Sequence, residues 1–216
     1  KNELDKNGKV PDVKVYIKNV KTFLNKMKKH YFKLERKYKY GRSLNKGRQY
    51  INGGYGIQSL QSQIRAFLTQ DYYNDYDMSN CQPSILNYIV KTFFSEHTFP
   101  KLDEYCNNRE EIIKEDRKKL KDTIISAMNS NKFIKTDNVF IKALDHEFKT
   151  IQTLFFESDN EEFNKLCTKT GLNTNNKKGS YLNKILCIFE NEILMECVKL
   201  IGSENIGCLI FDGFLV

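Results

Sequence analysis

Apolar residues first fall at helical spacing at Tyr16, Val20, Phe23, Leu24, Met27, Tyr31 and Leu34, with lysines filling the opposite face. This pattern predicts a basic amphipathic helix. Five glycines (41, 47, 53, 54 and 56) then crowd residues 41–58, interleaved with Arg42, Lys46 and Arg48, and predict an irregular segment rich in donors. A helical patch follows near 58–69. The tyrosine-rich stretch 72–76 favours a strand ending at Asp77. Behind it, Ser79 and Asn80 are residue types that cap helices, and Pro83 suits a first helical turn. The stripe Ile85, Leu86, Ile89, Val90, Phe93 and Phe94 continues as a helix. Further helices are predicted at about 108–129, 138–157 and 181–201, with a polar, mobile surface loop over 164–180. The stretch from Ile206 to Val216 predicts two short strands around Asp212-Gly213, a strong hairpin signal.

Charge adds a gradient to this picture. Residues 1–50 hold 16 Lys and Arg against 4 Asp and Glu, a surplus of 12, whereas the whole chain carries +8. A basic arm ahead of a net acidic body suits a polyanionic partner, because each phosphate neutralised releases condensed counterions. A solvated lysine-rich helix face is the competing explanation. The six cysteines (81, 106, 167, 187, 197 and 208) form no Cys-x-x-Cys pair and have no nearby histidine. They read as buried thiols and favour a reducing, intracellular compartment. No apolar run approaches the ~20 residues that span a bilayer, so no membrane partner is expected, and the chain reads as a piece of a longer soluble protein. His30, His97 and His146 are widely spaced and are assigned no role.

Candidate chemistry gathers at two strand ends. Asp77 and Asp212 are carboxylates that a folded sheet can bring together, and Mg²⁺ binds through one or two carboxylates together with substrate phosphates. Asp75, two residues before Asp77, shares its strand face and is a secondary candidate. Arg117 and Lys121 lie four apart on one predicted helix face, so they present two cations to one polyphosphate. Taken singly, Asp212 is an ordinary hairpin residue and the Arg117–Lys121 run an ordinary solvated one.

Read in order, these blocks resemble the family A DNA polymerases and the related single-subunit phage RNA polymerases, and most closely the branch known as transposon-virus polymerases. Tyr40-Gly41-Arg42, Ser59-Leu60-Gln61 and Ile64-Arg65 resemble the elements that precede the first catalytic motif. Asp75, Asp77, Asn80, Pro83, Ile85 and Leu86 resemble that motif. Arg117, Lys121, Ile125 and Asn129 resemble the fingers helix, and Leu209 to Val216 the hairpin with the second metal-binding Asp. Glu190 or Glu192 is the candidate for an acidic residue in the helix before that hairpin. Departures from the pattern are Phe211 in place of a His, and Gln82 in place of the Glu that excludes ribonucleotides.

The resemblance implies an α+β fold, a right-hand polymerase palm with a small antiparallel sheet and helices plus a helical fingers insertion. Residues 1–39 would be a basic helical arm, 40–83 the first part of the palm, 84–175 the fingers and 176–216 the second part of the palm. It implies a DNA-dependent DNA polymerase extending a primer by two-metal catalysis. The alternatives are an RNA-synthesising or primase-like enzyme, and an inactive palm that only binds nucleic acid. Asp77, Asp212, the Met78 backbone carbonyl and Asp75 would hold two Mg²⁺ ions, with Mn²⁺ as a substitute. Arg117, Lys121, Ile125 and Gln82 would meet a nucleoside triphosphate, and Arg42, Arg48, Gln61, Arg65 and Asn183 the template-primer. A helicase or another domain of the longer protein, of viral or mobile-element origin, is the further partner implied.

Overall fold

The computed structural model describes residues 13–30, 35–41, 46–158 and 160–216. Arg42 of the expected nucleic-acid contacts, and Tyr31 and Leu34 of the first amphipathic stripe, lie outside the described residues. The architecture is mixed α+β, mostly helical, with two small antiparallel sheets.

Helix α1 spans Val13–Lys29 and seats Phe23 as its one buried residue. Strands β1 (Tyr38–Tyr40) and β2 (Gln49–Ile51) pair antiparallel, with Lys39 opposite Tyr50. The glycine-rich segment is therefore more regular than its composition predicts. Gly47, Gly53 and Gly54 take positive φ on either side of β2, so they make the turns while the residues between them form a strand.

A 3₁₀ turn at Ile57–Ser59 and helix α2 (Ser62–Thr69) lead to β3, which covers only Asp75–Asp77. The strand expected from residue 72 starts late because the N–H groups of Tyr72 and Tyr73 donate back to the Thr69 carbonyl, which keeps both in the turn that ends α2. Helix α3 (Cys81–Phe93) follows at once. Its N-cap, Asn80, sits in the left-handed region (φ 52°, ψ 35°) and its side chain makes no capping bond, so the capping expectation fails at this residue. Asn tolerates that backbone better than most side chains.

The helix expected over 108–129 is two helices, α4 (Pro100–Ile112) and α5 (Arg117–Asn129). Buried Ile113 ends the first, and the Asp116 carboxylate caps the second by accepting from the Lys119 N–H at 3.3 Å. Helix α6 (Val139–Glu157) agrees with its stripe. A short α7 (Glu161–Leu166) and an early start for α8 (Lys177–Ile201) shorten the expected 164–180 loop to residues 167–176.

Helix α8 is the axis of the body and packs on α3, α5, α6 and α7. Leu86, Ile89, Leu102, Ile124, Met128, Phe148, Phe155, Leu182 and Ile185 form one continuous core among these helices and α4. Strands β4 (Cys208–Ile210) and β5 (Gly213–Leu215) complete a sheet of order β3-β5-β4. Because side chains alternate along a strand, Leu209 and Phe214 face Leu194 and Val198 of α8, while Cys208, Ile210 and Leu215 face Ile57 on the other side. No helix among the described residues is long and apolar enough to cross a membrane.

Candidate functional site

The two acidic residues singled out in the sequence meet across the sheet. Asp77 ends β3 opposite Gly213, the first residue of β5, and Asp212 immediately precedes Gly213. The Met78 N–H donates to the Asp212 carbonyl at 3.0 Å, which ties the two residues side by side. The hairpin turn is Phe211-Asp212, one residue earlier than the expected Asp212-Gly213, and the positive φ falls on Phe211 (52°). Gly213 serves another purpose there. A Cβ at that position would collide with the Tyr76 carbonyl, so glycine is what lets β5 approach β3 at the acidic residues.

Burial and then the Asp212 charge push the Asp77 carboxyl above its ordinary pKa, with Asp75 adding to the rise and Lys121 and Arg65 opposing it. The site is thus a pair of like charges flanked by a cation from α5 and one from α2. Among the described residues neither the Asp77 nor the Asp212 carboxylate makes a hydrogen bond or ion pair, and no group of three or more His, Cys, Asp or Glu is placed to hold a metal ion. Two adjacent carboxylates with open oxygens can hold a hard divalent cation, which in turn takes phosphate oxygens.

A buried ionic network supports the turn from behind. Glu190 of α8 is fully buried, and Arg48, just ahead of β2, grips it with two hydrogen bonds, one of them Nη2 to Oε2 at 2.7 Å. Gln82 of α3 donates to the same carboxylate at 3.1 Å. The Arg48 guanidinium lies 5.4 Å from the centre of the Phe211 ring, and Tyr50 meets that ring edge-on at 5.5 Å. Burial works against the Arg48 charge, but Glu190, with Asp212 also contributing, holds its pKa above the ordinary arginine value. Burial, Glu190 and Asp212 likewise push the Cys81 thiol up to about 12. Of the two acidic candidates in the last helix, Glu190 is the buried one and Glu192 is exposed.

Other expected site residues are distributed unevenly. Lys121 is exposed on α5 and close enough to Asp77 to act on it, whereas Arg117 is paired in solvent with Glu110 at 3.0 Å. Ile125 is half-buried against the main core. Gln82 is 8% exposed and spends its amide on Glu190, and Arg48 is likewise committed to Glu190 instead of standing free for a strand. Arg65 is half-buried near Asp77; Gln61 is exposed, and its N–H donates to the Tyr16 hydroxyl at 3.2 Å. Asn183 donates to the Asn129 side chain at 3.0 Å, a contact between α8 and α5 that spacing alone could not reveal. None of the six cysteines forms a disulfide. The Tyr50–Phe211–Arg48 stack went unseen in the sequence, since its members lie 163 positions apart at the extremes and share no periodic pattern.

No protein-family model matches the chain, and no solved structure does. A protein of the Sputnik virophage described as "Putative helicase V13" is 26% identical over 190 residues. The match covers 79% of this chain and 24% of that protein, so the chain spans about a quarter of the length of the relative it matches. The relative bears the name of a helicase and not of a polymerase, and this corrects the expectation of a DNA polymerase.

Proposed function

We propose that this chain is the nucleic-acid-gripping domain of a larger helicase-like enzyme of viral type, and that it holds the strand through a divalent cation at Asp77 and Asp212. The observation that carries the reading is the pairing of β3 with β5, which sets two unpartnered carboxylates side by side at a surface flanked by Lys121 and Arg65. Such a pair fits a cation: it lowers the cost of the Asp77 charge, and its open oxygens suit Mg²⁺, with the Met78 carbonyl as a third oxygen. When bound, the ion supplies a positive centre for a backbone phosphate of the strand, and Lys121 and Arg65 add charge on either side. The arrangement of β3, α3 and the β4–β5 hairpin supports a palm-like reading of this region. The helicase name of the virophage protein supports a strand as the partner.

The test is anisotropy of a labelled single-stranded oligonucleotide with the 216-residue chain, in Mg²⁺ and in chelator. Mg²⁺ tightens binding severalfold in the native chain and leaves Asp77→Asn and Asp212→Asn unchanged. Equal Mg²⁺ dependence in all three proteins would sink the assignment.

A further inference from the structure

We infer that the asparagine-lined cavity between α5 and α8 receives an unpaired nucleobase of the same strand, an inference that rests on the proposed function. The cavity has a volume of about 420 Å³, and its lining includes Asn129, Asn173, Asn176, Ser180, Asn183 and Lys184. Its size lies within the range of roughly 300–1,000 Å³ typical of ligand sites.

The walls are built and held. Asn176 donates to the Asn129 carbonyl at 2.7 Å and accepts from the Asn131 N–H at 2.7 Å, and the Gly179 N–H donates to the Asn131 side chain at 2.8 Å. A Cβ at Gly179 would lie 2.5 Å from the Asn129 carbonyl, so the end of α5 and the start of α8 are in direct backbone contact there. This frame leaves hydrogen-bonding capacity directed at the cavity. Asn183 spends one amide hydrogen on Asn129, and its carbonyl accepts only a long contact from the Cys187 thiol (3.8 Å). The Ser180 hydroxyl and the Lys184 ammonium have no hydrogen bond or ion pair among the described residues. Neutral amides offering a donor beside an acceptor match the edge of a nucleobase, and unpaired bases expose that edge.

Position links the cavity to the carboxylates. Lys121, Ile125 and Asn129 are spaced by four and share one face of α5, so Asn129 lies about 12 Å along the helix from Lys121. On α8, Asn183, Cys187 and Glu190 share a face in the same way. The cavity therefore lies at the C-terminal end of α5, about two helical turns from Lys121, the residue of that helix that acts on Asp77.

Anisotropy with adenine, cytosine and thymine homo-oligonucleotides, an abasic oligonucleotide of equal length, and free nucleoside monophosphates as competitors tests this. The native chain binds at least one base-bearing strand about fivefold or more tightly over the abasic one. Asn183→Leu and the exposed-site variant Asn173→Ala shrink that gap while binding of the abasic strand keeps its Mg²⁺ dependence; Asp77→Asn does the reverse. A native chain that binds abasic and base-bearing strands equally, or variants that keep the full gap, overturns the inference and leaves the cation reading standing. Competition by free monophosphates as effective as by the strand also overturns it, in favour of a free nucleotide. No binding of any oligonucleotide to the native chain removes both readings.

Discussion

Asp77 sits where the local electrostatics are unfavourable to its own charge. Burial and Asp212 raise its pKa above the ordinary 3.8, against the pull of Lys121 and Arg65. An acid whose pKa is higher folded than unfolded binds its proton more tightly in the folded chain, so stability falls as pH rises between the two values. In chelator at neutral pH, Asp77→Asn should therefore be slightly more stable than the native chain, by less than about 1 kcal/mol because the group is only partly buried and solvent screens its charge. The difference should vanish once pH drops below the ordinary value. Adding Mg²⁺ should raise the melting temperature of the native chain and not of the variant. Thermal denaturation across pH, with and without the ion, checks both; a variant less stable at neutral pH contradicts the account. Asp77 itself was legible in the sequence because a strand, an acid and a helix start follow one another within a dozen residues. Its partner was less so: Asp212 looks like any turn residue until β3 is laid against β5.

Among the elements, the Arg48–Glu190 pair has the widest reach. It connects the segment before β2 to α8, takes in α3 through Gln82, and supports the Phe211 turn through the guanidinium on its ring. Removing one partner of a buried pair leaves an uncompensated charge, so Arg48→Met should cost about 3–5 kcal/mol. The double variant Arg48→Met with Glu190→Met should recover most of that. Urea denaturation reads both, and a double variant no better than the single one would show that the charge pair is not what holds these elements. Helices α3, α6 and α8 were readable from apolar spacing because each buries one continuous stripe. The break between α4 and α5 was not, since Ile112, Ile113 and Leu120 keep an apolar rhythm across it, and only the Asp116 cap and the packing of Ile113 decide where the chain turns.

For the whole molecule, charge asymmetry is the feature that bears on a polyanionic partner. Lys18, Lys21 and Lys28 are exposed on α1, on the same chain that carries an acidic site at Asp77 and Asp212. If α1 lies along the bound strand, replacing these three by Gln should flatten the dependence of log affinity on log salt by up to about 0.7 for each phosphate that the variant no longer neutralises. A salt series on the native and triple-variant chains measures this, and an unchanged slope would place the strand elsewhere. The match to the virophage protein covers about a quarter of that protein's length.

The amino-acid sequence by itself determined the helical stripes, the hairpin and the acidic strand end, because each depends on residues within a few positions of one another. It also carried the resemblance to polymerase palms, which the helicase-named relative redirected. Only the tertiary structure decided that Glu190 and not Glu192 is buried, that Arg48 and Gln82 are committed to it, and that Asn129 and Asn183 hydrogen-bond in the wall of a cavity. The physical reason is the same in each case. These side chains are chosen by burial and by partners between about 50 and 140 residues away, and a buried charge or amide is paired by whatever the fold brings to it.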